Sequence, residues 1–168
     1  GDIPGYEDFE AERAKFPVTP IADETAGTDM LYSSGTTGRP KGVKHPLTGG
    51  SIDEDTSLEG LATLLYGMDT NSIYLSPAPL YHAAPLRWSM TVQRLGGTVI
   101  VMDHFDAEES LRLIEKHKVT HSQWVPTMFV RMLKMPEEVR AKYDVSSLKV
   151  AIHAAAPCPI PVKEQMIE

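Results

Sequence analysis

Apolar positions recur along this chain at two alternating spacings. Leu58, Leu61, Leu64 and Leu65 return every three or four residues, which predicts a helix over 53–67. Runs at 72–76 and 98–102 read as buried strands. Asp106 followed three residues later by Glu109 predicts a capped helix over 107–117, with Leu111 and Ile114 toward a sheet. A strand over 119–125 comes next. Pro126 and Pro136 stand where helices begin, giving 127–134 and 137–143, and a last strand is expected over 148–153 before a helix opened by Pro161. Strand-like and helix-like segments therefore alternate, the pattern of an α/β fold with a mostly parallel sheet and flanking helices.

Before this alternation the chain reads differently. Residues 6–15 predict a short acidic helix, and 16–28, with Pro17 and Pro20, a linker leading to a strand at 29–33. The expected organisation is thus a helix and linker over 1–28, then one partial domain over 29–168. The final helix is expected to be still running at Glu168, so the sequence reads as an excerpt of a longer chain.

Composition narrows the class. Hydrophobic residues make up 42% of the chain, enough for a core, and its apolar stretches are too short to cross a bilayer. No basic or apolar leader opens the sequence, and the single cysteine, Cys158, has no partner for an internal disulfide. A cytoplasmic protein without a transmembrane segment is expected. A net charge of −7 argues against nucleic acid as a partner, because backbone phosphates are held by clustered Lys and Arg.

The most specific chemistry lies at Tyr32-Ser33-Ser34-Gly35-Thr36-Thr37-Gly38-Arg39-Pro40-Lys41-Gly42-Val43. Closely spaced glycines let successive backbone N–H groups turn toward one anion, hydroxyls add donors, and Lys41 adds a full charge. A polar turn is the plain alternative for Gly-Thr-Thr-Gly alone. The run is not a Walker loop, since Lys41 follows Pro40 and precedes Gly42, and no Gly-x-Gly-x-x-Gly occurs.

At these residues the chain resembles the adenylate-forming (AMP-binding) superfamily, in its acyl-CoA synthetase branch. The resemblance implies the large N-terminal domain of such an enzyme, with ATP, Mg2+ and CoA as cofactor or co-substrates and a small-molecule carboxylic acid, a fatty acid in the first place, as substrate. It implies that Ser33, Ser34, Thr36 and Thr37 donate to phosphate oxygens while Gly35 and Gly38 let the backbone approach. Lys41 would stabilise leaving pyrophosphate or fix the loop. It also implies that the magnesium-binding glutamate, ribose-binding aspartate and adenylating lysine fall outside these 168 residues, so that the excerpt alone is inactive.

Two further segments carry the resemblance. Pro79-Leu80-Tyr81-His82 looks like the superfamily's Pro-Leu-Phe-His element, which implies an acyl site lined by Tyr81, His82, Ala83 and Ala84, with His82 as gate or orienter. Taken alone, a His after a strand is more often a structural hydrogen-bonder. No acid follows Tyr81, as an amino-acid-activating site would require to pair a buried ammonium, so the acid's tail is expected to be uncharged and apolar. His153-Ala154-Ala155-Ala156-Pro157-Cys158 resembles the Ser-Gly-Ala-Ala-Pro-Leu turn, implying that Ala155, Ala156 and Pro157 pack on adenine while Ala154 narrows the acyl tunnel.

The other candidates have structural readings. Trp124 is either core or a wall of the acyl or CoA passage. His117 and His121 have ligand spacing only on one helix, and the turn into a strand at Val119 and Thr120 speaks against zinc; no metal site is expected within the chain. Cys158 reads as a small apolar filler. Two alternatives to an acyl-CoA synthetase stay open: an adenylation domain that loads a carrier protein, and a non-catalytic nucleotide-binding module.

Overall fold

The computed structural model describes residues 3–32, 38–54 and 56–167, and the chain divides into two compact units, 1–54 and 55–168. In the first unit, α1 (Phe9–Arg13) starts where the Asp8 side chain accepts from the Ala11 N–H at 2.8 Å. It buries no residue, which is why it is shorter than the expected 6–15. Strands β1 (Met30–Tyr32) and β2 (Gly42–Lys44) pair antiparallel in the register Met30↔Lys44, Leu31↔Val43, Tyr32↔Gly42. β1 falls within the strand expected over 29–33, and its partner β2, which no sequence pattern marked, completes a two-stranded sheet on either side of the loop. A Cβ on Gly42 would sit 3.1 Å from the exposed Tyr32 ring, which would shift slightly to admit it.

The second unit is a four-stranded parallel sheet between helices. β3 (Ile73–Ser76), β4 (Thr98–Val101), β5 (His121–Trp124) and β6 (Val150–His153) lie in the order β4-β3-β5-β6. On one face lie α2 (Ser57–Tyr66) and α3 (Ala83–Arg94), whose Ala62, Trp88 and Val92 pack with Met68 and Tyr74. On the other lie α4 (Ala107–His117), α5 (Pro126–Leu133) and α7 (Ile160–Ile167), with Leu75, Ile114, Trp124, Met128 and Phe129 at the centre. The short α6 (Glu137–Arg140) joins α5 to the last strand. Burying Val92, Leu75 and Ile114 contributes roughly 1.5–3 kcal/mol each.

Three expectations are corrected here. The buried face of α2 is Glu59 and Ala62, whereas Leu61, Leu64 and Leu65 are exposed. The Glu59 carboxylate accepts from the Thr56 N–H, closing a capping box, and from Arg94 Nε of α3, and this pairing turns Glu59 inward in place of the leucines. β4 is not a buried strand but an edge, exposed or half-buried along its length. Helix α3 went unread because Pro85 stands inside it; in the first turn a proline's missing N–H costs nothing. The capped α4 is as expected, with Asp106 accepting from the Glu109 N–H at 2.8 Å.

His121 is a core residue. It is buried, with Nδ1 2.8 Å from Thr120 Oγ1 and Nε2 2.9 Å from the Tyr66 carbonyl oxygen. Both ring nitrogens are thereby engaged.

Candidate active site at the carboxyl edge of the parallel sheet

The strand order contains a reversal. β3 leads through α3 to β4 on one side, and β4 returns through α4 to β5 on the other side of β3. Connections from β3 and β5 therefore leave toward opposite faces, and their carboxyl ends open the crevice where ligands of open α/β sheets are held. The segments singled out in the sequence emerge at this edge: 77–84 after β3 and 154–157 after β6, with Trp124 ending β5 between them. Two strand spacings separate β3 from β6, about 10 Å.

After β3 the chain turns through Pro79, whose carbonyl accepts from the His82 N–H at 3.1 Å, and His82 becomes the N-cap of α3. Its side chain makes no capping bond. The Tyr81 ring lies 4.5 Å from the His82 ring, and both side chains are exposed. Ala83 is exposed. Ala84 is half-buried and packs against the cluster of Tyr74, Trp88 and Val92.

After β6 the Ala154 N–H donates to the Trp124 carbonyl at 3.1 Å, tying this turn to the end of β5. Ala155 has φ 73, a left-handed conformation that costs a non-glycine residue about 1–2 kcal/mol. Such an outlier at a strand end marks a position held by its surroundings. Ala155, Ala156 and Pro157 are exposed, Ala154 half-buried, and Cys158 packs on the core beneath.

Trp124 belongs to the core. It is 1% exposed, donates from Nε1 to Ser122 Oγ, and meets Phe105 and Phe129 with ring centroids 6.3 and 6.1 Å away. Of its two readings, the passage wall finds no exposed ring surface.

In the first unit, Gly38 and Lys41 are exposed, and Lys41 directly precedes β2. Ser33, Ser34, Gly35, Thr36 and Thr37 lie outside the described residues. Among the described residues no group of three His, Cys, Asp or Glu is placed to hold a metal ion, and no helix is long and apolar enough to cross a membrane. The hydroxyls of Tyr74, Ser76 and Ser89 are buried without a hydrogen-bond partner among the described residues.

The chain is 33% identical over 145 residues to 4-hydroxybutyrate–CoA ligase 2 of Metallosphaera sedula, covering 86% of this chain and 25% of that one. It is 35% identical over 153 residues to medium/long-chain-fatty-acid–CoA ligase FadD8 of Mycobacterium tuberculosis, covering 89% and 25%. The chain thus spans about a quarter of the length of these relatives. Among solved structures it resembles the inhibitor-bound N-terminal domain of FACL13 from Mycobacterium tuberculosis, with TM-score 0.71 and 27% identity over 94% of this chain and 39% of that one. It also resembles ATP-bound MatB from Rhodopseudomonas palustris, with TM-score 0.65 and 25% identity over 87% and 27%. The AMP-binding enzyme family matches residues 4–168, so with these relatives and this fold the chain belongs to that family of adenylate-forming enzymes.

Proposed function

We propose that this chain is part of the N-terminal domain of an acyl-CoA synthetase, which joins a carboxylic acid to AMP and then passes the acyl group to CoA. The supporting observation is the convergence of 77–84 and 154–157 on the carboxyl edge beside the β3/β5 reversal, the edge where this fold class holds nucleotides. The substrate's carboxylate oxygen attacks the α-phosphorus of ATP, the bond to the β-phosphate oxygen breaks, and pyrophosphate leaves. The CoA sulfur then attacks the acyl carbonyl carbon, and AMP departs with the carboxylate oxygen.

The residues of the three segments have bounded tasks in this scheme. The hydroxyls of Ser33, Ser34, Thr36 and Thr37 donate to phosphate oxygens, and Gly35 and Gly38 admit the backbone to the same anion. Lys41 meets the charge that grows on pyrophosphate. The β1–β2 ladder pairs Tyr32 with Gly42 at the two ends of this segment. Ala155, Ala156 and Pro157 offer an apolar surface to adenine. Tyr81 and His82 stand at the head of α3 as a gate, and Ala83, Ala84 and Ala154 bound an uncharged tail. Magnesium, which neutralises triphosphate charge in such reactions, finds no donor set among the described residues, and no step is drawn through it.

Relatives named for 4-hydroxybutyrate and for medium- and long-chain fatty acids support a carboxylic acid without fixing its tail. The test is pyrophosphate release by the full-length chain across acids of graded length. Acid-dependent release is expected, while the 168-residue chain by itself stays inactive. Release that ignores the acid would contradict the proposal.

A further inference from the structure

Transfer of an acyl group to CoA requires that the thiol lose its proton. An ordinary thiol has a pKa of about 8.5, so at neutral pH it is mostly protonated, and the thiolate is the nucleophile. Imidazoles stand after three strands at the carboxyl edge of the parallel sheet. His82 heads α3 after β3, His104 follows β4, and His153 ends β6. His82 is already placed on the tail side as a gate. β4 lies three strand spacings from β6, about 14 Å, which sets His104 apart from the turn proposed for adenine. His153 leads directly into that turn.

Side chains alternate along β6. Ile152 packs with Tyr74, Trp88 and Val92 on the α3 face, so His153, in register with Trp124, faces the α5 side. Its ring stands edge-on to Phe129 of α5, with centroids 6.2 Å apart and planes at 76°. The residue is exposed, and no hydrogen bond to a described residue holds either ring nitrogen. His121 is the contrast: buried at the other end of the sheet, with both nitrogens engaged. His153 thus has an aromatic neighbour to orient its plane and two uncommitted nitrogens at the edge. The Ala154 N–H, bonded to the Trp124 carbonyl, anchors the backbone directly after it.

We infer that His153 is the base that accepts the proton of the CoA thiol. This inference rests on the acyl-CoA synthetase reading and adds a residue for its second step. The tail is proposed on the α3 face, where Ala84 packs with Tyr74, and the nucleotide against the turn after β6. The acyl carbonyl carbon between them is then open toward α5, the side that His153 faces. An imidazole nitrogen takes the thiol proton while the sulfur's electron pair forms the bond to that carbon. The bond from the carbon to the bridging oxygen breaks, AMP leaves with the oxygen, and the imidazolium returns its proton to water. Around the ring, β5 presents Trp124 and α5 presents Phe129, with Arg131 stacked over Phe105 at 4.7 Å. Helix α7, packed on α5, carries Lys163 and Glu164 at exposed positions, and the Cys158 thiol packs on the core.

The test uses the full-length chain and its His153→Gln variant, whose amide keeps hydrogen-bonding capacity but takes up no proton at neutral pH. Thioester formation from supplied acyl-adenylate and CoA should slow by about 100-fold or more, as loss of a general base does. Pyrophosphate release in a single turnover without CoA should be unchanged, and so should Tm, because the side chain is exposed. Raising the pH should then speed the variant's thioester step by roughly 10-fold per unit until the thiol ionises by itself near ~8.5, narrowing the gap to the parent. A purely structural role would not produce that recovery. An unchanged thioester step, equal slowing of both half-reactions, or slowing that higher pH does not relieve each overturns the assignment and leaves the synthetase reading intact. Absence of pyrophosphate release by the parent with every acid overturns both.

Discussion

Replacing Trp124 with Ala distinguishes a core residue from a wall of a substrate passage. The indole is 1% exposed. A buried tryptophan removes on the order of 200 Å² from water, and at ~25 cal/mol per Å² this corresponds to about 5 kcal/mol. The alanine keeps part of that burial, while the incompletely collapsed space between Phe105 and Phe129 adds to the loss, so a cost of about 3–5 kcal/mol is expected. Ser122 Oγ, fully buried, also loses the indole N–H that donates to it. Urea unfolding of the 168-residue chain, followed by circular dichroism, should show the midpoint falling steeply for Trp124→Ala and less for Trp124→Phe. The same substitutions in the full-length chain should leave the ranking of acids by chain length unchanged. A Trp124→Ala variant within about 1 kcal/mol of the parent but with a reordered acid preference would refute the core assignment.

Other expectations concern the loop, the tail pocket and a surface carboxylate. Lys41→Ala in the full-length chain should slow adenylation by roughly 100-fold or more, as loss of one preorganised donor does, and should affect thioester formation from supplied acyl-adenylate much less. Equal loss in both half-reactions would assign Lys41 a structural role. Ala84→Leu should depress activity on longer acids more than on short ones with KM for ATP unchanged; parallel loss across all acids would remove this segment from the tail pocket. The Ser146 hydroxyl and backbone N–H, with Lys118, hold the Asp144 carboxyl down at about 2. A depressed carboxyl stabilises the fold above its unfolded pKa, near ~3.9, and that contribution disappears as pH falls through about 2. The stability difference between the parent and Asp144→Asn should therefore be constant from neutral pH down to about 5 and vanish in acid; a difference that persists unchanged at pH 2 would exclude this linkage.

The α/β character and the start of α4 were legible because each is fixed locally. Alternating periods need no knowledge of partners, and the Asp106 cap is satisfied by a neighbour three residues away. What failed depended on a distant segment. The inward face of α2 is set by Arg94 of α3, thirty-five residues on, and leucine spacing alone cannot reveal that a buried glutamate wins over three leucines. β4 reads as buried from Thr98 to Met102, yet its edge position follows from strand order. β2 is three residues long, and only pairing with β1 makes it a strand. Of the site, Tyr81, His82 and the turn at Ala154–Pro157 stand out as motifs and fall on one sheet edge.

The central claim is that a carboxylate attacks the α-phosphorus of ATP at this site. Incubating the full-length chain with ATP, CoA and a carboxylic acid labelled with oxygen-18 in both carboxyl oxygens tests it by mass spectrometry of the released nucleotide. The account predicts AMP carrying one oxygen-18 atom, pyrophosphate carrying none, and loss of labelled AMP in Lys41→Ala. Release of ADP, or of AMP without label, would contradict it.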